Sequence, residues 1–170
     1  MVSKNKAPPL PSVAAAPYVC DHVPLHAVQL MTGLRDPVVQ GGFNMAAGKE
    51  SDGQDYGTGS CRVYRPTGKK VLQISLYPAG SEKEVEFTIS QGVARLPEVV
   101  PGAVGYYDQI GDVSDAHATA VLVHGLDEVI VELIEGVKGR DNAADVMAMM
   151  KLVAPKLILD ATPVPKKAKD

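Results

Sequence analysis

The two cysteines, Cys20 and Cys61, are the residues that most directly suggest chemistry in this 170-residue chain. In an oxidising compartment they would form one disulfide, and in a reducing one they would remain thiols. The bond would close a loop of about 40 residues, for which the chain-entropy model gives roughly 4 kcal/mol. The alternatives are two buried thiols or a catalytic cysteine, although no residue beside either cysteine supplies a recognisable nucleophile motif. For oxidised protein we predict a Cys20–Cys61 disulfide.

The histidines are the next candidates, because His22 and His26 have the i, i+4 spacing that can place two imidazoles on one helix face. The sequence offers no H-E-x-x-H glutamate and no third ligand beside them, and Pro24 disturbs the helical register between them. His117 and His124 bracket one predicted strand and, seven residues apart, should point to opposite faces. We therefore predict no metal site and interpret the first pair as solvent-facing polar side chains.

Acidic residues are grouped in two predicted loops, and these groups are Glu50, Asp52 and Asp55, and Asp108, Asp112 and Asp115. Neither group follows the D-x-[DN]-x-[DN]-G pattern of a calcium loop, so both are interpreted as solvated turns. The glycine-rich turns lack the further residues of a P-loop or a dinucleotide fingerprint, and no G-x-S-x-G elbow occurs. The sequence thus predicts no catalytic residue and no cofactor, and we expect a protein that is not an enzyme.

The adjacent pair Tyr106-Tyr107 is the most unusual aromatic feature of the chain. Neighbouring residues of a strand face opposite ways, so one ring can lie in the core while the other is exposed. An exposed tyrosine beside Val104 would give a recognition surface a large contact area with a polar tip. We predict that Tyr106 or Tyr107, with Val104, borders the main surface for a protein partner or a small apolar ligand. The alternative is that both rings only fill the core.

Two predicted β-hairpins must position these side chains. The stretch Gly59–Leu76 alternates apolar and polar residues on both sides of the turn Pro66-Thr67-Gly68. A second hairpin is predicted for residues 116–134 about the turn His124-Gly125-Leu126-Asp127. Residues 37–46 and 103–107 are weaker strand candidates, the first with an irregularity at two consecutive glycines.

Three helices are predicted to pack on these strands. The first runs to Gly33, and the second begins with the capping box Ser81-Glu82-Lys83-Glu84 and continues until Pro97. The third is capped by Asp141, and its predicted buried stripe contains Val146, Met149, Met150, Val153 and Leu157. The order of elements predicts class α+β, with a mainly antiparallel sheet and about three helices in a single domain with flexible tails.

The composition limits the classes of partner and the cellular location that can be expected. The net charge of −3 gives no overall basic field for nucleic acid or an anionic membrane. No apolar run is long enough to span a bilayer, and no secretory signal peptide is visible at the N-terminus. Residues 1–18 are rich in Lys, Pro, Ser and Ala, so we predict a flexible tether there, an α+β domain at 19–160 and a disordered tail at 161–170.

A series of short motifs runs along the chain: residues 20–24 (CDHVP), the helix at 25–34 with TGL at its end, residues 59–64 (GSCRVY) and the apolar strand after them, residues 101–106 (PGAVGY), and the last two strands and helix. This layout resembles that of the small actinobacterial cell-envelope lipoproteins that carry a domain of unknown function. The resemblance covers about residues 19–160. It implies export, a lipid anchor on an upstream cysteine, a flexible linker and a disulfide-bonded α+β domain. The chain has no lipobox, so membrane contact is expected only through an anchor that this sequence lacks.

Three functions follow from these observations. The preferred hypothesis is a noncatalytic, extracytoplasmic domain of the cell envelope, or a secreted one, that binds a ligand or protein partner. The second is a structural or assembly subunit, which would be cytoplasmic if the missing signal is genuine. The third is an enzyme whose residues meet only in the folded chain.

Overall fold

A seven-stranded antiparallel sheet forms the centre of the computed structural model, which describes residues 7–45, 57–110 and 117–158. The strands are β1 (Tyr18–Val19), β2 (Val23–Pro24), β3 (Val38–Asn44), β4 (Thr58–Tyr64), β5 (Lys70–Tyr77), β6 (Ala94–Arg95), β7 (Val104–Ile110), β8 (His117–His124) and β9 (Asp127–Leu133). The helices are α1 (Leu25–Thr32), α2 (Glu82–Ser90) and α3 (Asn142–Leu157). The predicted α+β class is therefore confirmed.

The strand order of the sheet is β3-β4-β5-β9-β8-β7-β6, and β1 and β2 form a separate two-stranded sheet. Both predicted hairpins are present as β4–β5 and β8–β9, and they meet where β5 pairs with β9. The turn between β8 and β9 contains Gly125 with a φ of 60°, which a glycine adopts without steric cost. The weak strand candidates become β3, at one edge of the sheet, and β7.

One face of the sheet packs against α1 and α3 to form the main core. Leu72, Ile74 and Leu76 of β5 are fully buried there, as the alternation of the sequence predicts. All five residues of the predicted apolar stripe of α3 are buried as well. The Asp141 side chain accepts a hydrogen bond from the Ala144 backbone at 3.0 Å, so it caps α3 as predicted. Pro155 lies in the last turn of α3 and does not end the helix before Leu157.

The second helix, α2, packs on the other face of the sheet and is shorter than the sequence pattern predicts. Ser81 accepts from the Glu84 backbone, as expected of the capping box. The extension of the helix to Pro97 is wrong, because Gly92 has a φ of 102° and residues 94–95 form β6 instead. Leu96 is nevertheless buried in the main core, and its backbone nitrogen donates to the Gly105 carbonyl.

The segment predicted as a flexible tether, residues 1–18, contains residues that contact the domain. Leu10 is only 6% exposed and belongs to the main core, and the Pro17 carbonyl accepts from the backbone nitrogen of Leu25. Val13 is 74% exposed, so the segment packs through selected side chains. Residues 161–170, predicted as a disordered tail, lie outside the described residues.

Candidate functional site

The predicted disulfide is present, and the Cα atoms of Cys20 and Cys61 lie 5.8 Å apart. Cys61 is fully buried on β4, whereas Cys20 lies in the turn between β1 and β2 with a positive φ of 52°. The bond therefore ties the N-terminal turn to the core face of the sheet. Neither sulfur is a free thiol, so neither can act as the nucleophile considered from the sequence.

The histidines and acidic groups are dispersed over several elements. The His22 ring lies 6.0 Å from the Phe43 ring, and His26 is exposed on α1. Asp108 belongs to strand β7 rather than to a loop. The other five residues of the acidic groups, Glu50, Asp52, Asp55, Asp112 and Asp115, lie outside the described residues. Within the three described ranges, no group of three or more His, Cys, Asp or Glu residues could hold a metal ion.

The two tyrosines of the predicted surface lie on opposite sides of the sheet. Tyr107 pairs with Ala120 and packs against the main core beneath α3. Tyr106 pairs with Val121 on the other side, where it and Val104 pack against a small cluster that includes Val85 of α2. Both rings are half-buried. The three residues therefore do not share one surface, and only Tyr106 and Val104 remain together.

A line of polar side chains crosses the sheet on the side of Tyr106. Residues paired directly across an antiparallel sheet point to the same face. Following the register from β3 to β7 gives one continuous series, here called the polar row: Gln40, Arg62, Gln73, Glu132, Thr119 and Asp108. Within the described residues, the helix that contacts this side is α2, which packs on β7 and β8. Ile130 of β9 packs in the same cluster as Val85 and Ile89 of α2, so the part of the row that extends beyond this cluster lies on β3, β4 and β5.

Arg62 is the member of the polar row with an unsatisfied hydrogen-bond donor. Its Nε atom is buried and has no hydrogen-bond partner among the described residues. The side-chain amide of the neighbouring Gln73 already makes two other hydrogen bonds: its Oε1 accepts from Lys70 Nζ at 2.6 Å, and its Nε2 donates to Ser75 Oγ at 3.0 Å. Buried donors are nearly always paired, so this one is an exception, and an acceptor from outside could bind it only after the Arg62 side chain moves towards the surface.

The charges near the polar row are divided between its two ends. Arg62 lies towards β3, whereas Glu132 and Asp108 lie towards β7. Burial, followed by repulsion from Glu128 and Asp108, raises the pKa of the Tyr106 hydroxyl, which therefore stays a neutral donor. Burial and the nearby Glu84 raise the pKa of Glu128. The β7 end is thus rich in carboxylates, and the opposite end presents a guanidinium.

A separate cluster of charges lies beyond the β4–β5 turn. Glu135 accepts from Lys69 and from Arg65, the latter at 2.6 Å between Nη2 and Oε1. The hydrogen bond from Lys69 is the largest cause that lowers the pKa of Glu135, and Arg65 adds to it. Both cations are hydrogen-bonded to the one carboxylate, so each already has a partner, although the cluster keeps a net positive charge.

A cavity of about 370 Å³ lies between the N-terminal segment and the start of α3. Its lining combines small apolar side chains with one ion pair, and the residues are Ala7, Pro9, Leu10, Gly139, Arg140, Asp141, Ala144, Asp145 and Ala148. Arg140 and Asp145 form two hydrogen bonds of 2.8 Å, from Nε to Oδ2 and from Nη2 to Oδ1. The hydrogen bonds to Asp145 raise the pKa of the Arg140 guanidinium, and the negative charge of Asp145 adds to this effect. Neither Tyr106 nor Tyr107 lines the cavity.

No family model, curated protein or solved structure matches this chain. No helix in the described parts of the chain is long and apolar enough to cross a membrane.

Sequence reasoning missed both the polar row and the cavity. The row has a signal in the alternation of β4, β5 and β9, where Arg62, Gln73 and Glu132 occupy the positions between core residues. Their alignment, however, depends on the pairing of β5 with β9, which joins two distant hairpins. The cavity has no local signal, because its walls come from residues 7–10 and 139–148.

Proposed function

We propose that this chain is a noncatalytic binding domain of the cell envelope, and that its polar row holds a protein partner through an exposed carboxylate of that partner. The observation that carries the proposal is the buried Nε atom of Arg62, which has no hydrogen-bond partner among the described residues. Turning the side chain towards the surface would therefore break no hydrogen bond of Nε and would let it donate to the partner. A carboxylate matches the planar guanidinium and can accept two parallel hydrogen bonds from it.

The division of charge along the row supports a protein as the partner. A surface with a guanidinium at one end and two carboxylates at the other favours a partner of complementary pattern, which fixes orientation as well as affinity. The partner would place an acidic residue at Arg62 and hydrogen-bond donors at Glu132 and Asp108. Tyr106, beside Asp108 in the same strand, would provide contact area at the margin.

The disulfide supports an oxidising location for this domain. Disulfides persist in exported proteins and are rare where thioredoxin and glutathione keep thiols reduced. A bond between Cys20 and Cys61 agrees with the export that the resemblance to envelope lipoproteins implies.

The second candidate function is an assembly subunit, and the edge strand β3 favours it. Within the described residues β3 pairs only with β4, and its seven residues, VVQGGFN, contain no charge and no proline. Natural edge strands usually carry such residues to prevent pairing with another chain. Strand pairing between two copies through β3 would extend the sheet, and a dimer in sedimentation that a lysine at the exposed residue Val38 (Val38→Lys) dissociates would support this function.

The test of the proposed function reads the Nε–H signal of Arg62 by NMR in the full chain. We expect the peptide Gly-Ser-Asp-Ser-Gly, blocked at both ends, to shift this signal in a saturable way, and the same peptide with Asn in place of Asp to leave it unchanged. The Nε–H of Arg140 is a matched control, because it already donates to Asp145 Oδ2 at 2.8 Å. Equal responses of Arg62 and Arg140, or no response of either, would overturn the proposal.

A further inference from the structure

The cavity beside α3 exists because the side chains around it are small. Ala144 and Ala148 are one helical turn apart, so their methyl groups lie on the same side of α3, and Gly139 adds no side chain. Pro9 and Leu10 form the facing wall. Leu10 is anchored in the main core at 6% exposure, so the wall is fixed to the domain. A space of this volume falls within the range of small-molecule sites.

The charged residues of the lining are already compensated. The side chains of Arg140 and Asp145 are only 6% and 5% exposed, and each neutralises the other through two hydrogen bonds. The positive end of α3 is occupied by Asp141, which accepts from the Ala144 backbone at 3.0 Å. An ion that entered would lose part of its hydration and find no unpaired opposite charge, which is costly near apolar walls.

One polar function can still be accommodated. The bidentate pair uses Nε and Nη2 of Arg140, so Nη1 takes no part in it. Each carboxylate oxygen of Asp145 accepts one of these bonds and can accept another. A hydroxyl group could therefore accept from the guanidinium or donate to the carboxylate without separating the pair.

From the volume, the apolar walls and the compensated charges, we propose that this cavity binds a small neutral molecule with an apolar body and one hydroxyl group. A volume of about 370 Å³ corresponds to roughly a dozen water molecules, which is room for a short aliphatic or single-ring alcohol. This site does not depend on the proposed function, because it lies beside α3, which packs on the side of the sheet opposite the polar row.

Three probes with the same tail test the charge requirement: 1-hexanol, hexanoate and hexylammonium. The full chain, labelled at the alanine methyl groups, is titrated with each and followed by NMR. We expect 1-hexanol to shift the Ala144 and Ala148 methyl signals in a saturable way, and the two ions to bind at least tenfold more weakly. No shift with 1-hexanol, or comparable binding of either ion, would overturn the proposal.

Two substitutions on α3 locate the binding. Ala148→Leu places a larger side chain in the cavity, so the affinity for 1-hexanol should fall at least tenfold, as read from the Ala144 methyl signal. Lys151→Leu adds the same side chain at an exposed position of the helix and should leave the affinity unchanged. If Ala148→Leu does not fold, Ala144→Val fills the same space and is read from Ala148. Unchanged affinity in the cavity-filling variant would show that 1-hexanol binds elsewhere and would refute the site.

One further variant separates this site from the proposed function. Arg62→Gln should abolish the response to the aspartate peptide, read here from the side-chain amide signals of the neighbouring Gln73, and should leave the affinity for 1-hexanol unchanged. A loss of hexanol binding in Arg62→Gln would contradict a separate cavity site.

Discussion

The two faces of the sheet present opposite chemistry at adjacent residues of the same strands. On β5 and β9, Ile74 and Val131 pair with each other and are fully buried with residues of α1 and α3. One residue earlier on β5 and one later on β9, Gln73 and Glu132 also pair, but they are half-buried on the side that bears α2. The period of two along a strand is thus enough to separate a core from a polar surface.

This difference separates the residues that stabilise the fold from those that are available for binding. The apolar face is covered by two helices and supplies most of the burial that stabilises the domain. The other face keeps hydrogen-bonding groups that the described part of the chain does not satisfy, such as Arg62 Nε. Three experiments test this division, in order of decreasing effect.

Removing the disulfide should have the largest effect, because it is attached to the core face through Cys61. The double variant Cys20→Ala with Cys61→Ala should lower the free energy of unfolding by about 4 kcal/mol, since the closed loop constrains the unfolded chain. Urea denaturation measures the change, and the reduced wild-type protein should show the same loss. A loss below about 1 kcal/mol would mean that the N-terminal turn is held by other contacts.

A pair of neighbouring substitutions compares the two faces directly. Ile74→Ala should cost about 3 kcal/mol, because it leaves a cavity among buried residues. Gln73→Ala, at the next position of β5, should cost less than about 1 kcal/mol, because it removes only partly exposed hydrogen bonds. Equal losses in urea denaturation would show that the polar row is as tightly packed as the core, and the proposed binding surface would have to be abandoned.

The smallest effect concerns pH and Glu128, which lies on the α2 side of the sheet. Its folded pKa is raised, so the folded state holds the proton more tightly than the unfolded state. The resulting stabilisation is present below the ordinary pKa of about 4.3 and is lost as the pH rises through the raised value. Glu128→Gln should remove this part of the pH dependence and change stability at neutral pH by only about 0.5 kcal/mol. Parallel pH profiles of the two proteins in thermal unfolding would contradict the assignment.

Local patterns in the sequence were sufficient for much of the fold. Alternation identified the β4–β5 and β8–β9 hairpins, and the buried stripe of α3 follows helical spacing. The caps Ser81 and Asp141 are also as predicted, because a capping interaction joins residues only three apart. The disulfide was predicted because the chain has two cysteines and only one pairing is possible.

The candidate surfaces were harder to predict, because they depend on contacts between distant residues. The opposite orientation of Tyr106 and Tyr107 follows from strand geometry, but which ring meets the core depends on how β7 pairs with β8. The helical spacing of Val85, Ile89, Val93 and Leu96 extends further along the chain than α2 itself. The helix ends earlier because Gly92 has a positive φ and the residues after it pair with β7 as β6. Leu10 resembles a linker residue in sequence, and only the folded domain provides the apolar site that buries it.

The pairing of β5 with β9 has a consequence for how the chain is made. The β3–β4–β5 half of the sheet is complete early in synthesis, whereas its neighbour β9 follows after the whole of α2, β6, β7 and β8. Until then, the backbone of β5 has an unpaired edge beside residues as apolar as Leu72 and Ile74. Such an edge can pair with another chain during folding or translocation. The interval between the two hairpins is therefore the period in which the newly made chain most needs a chaperone or a low local concentration.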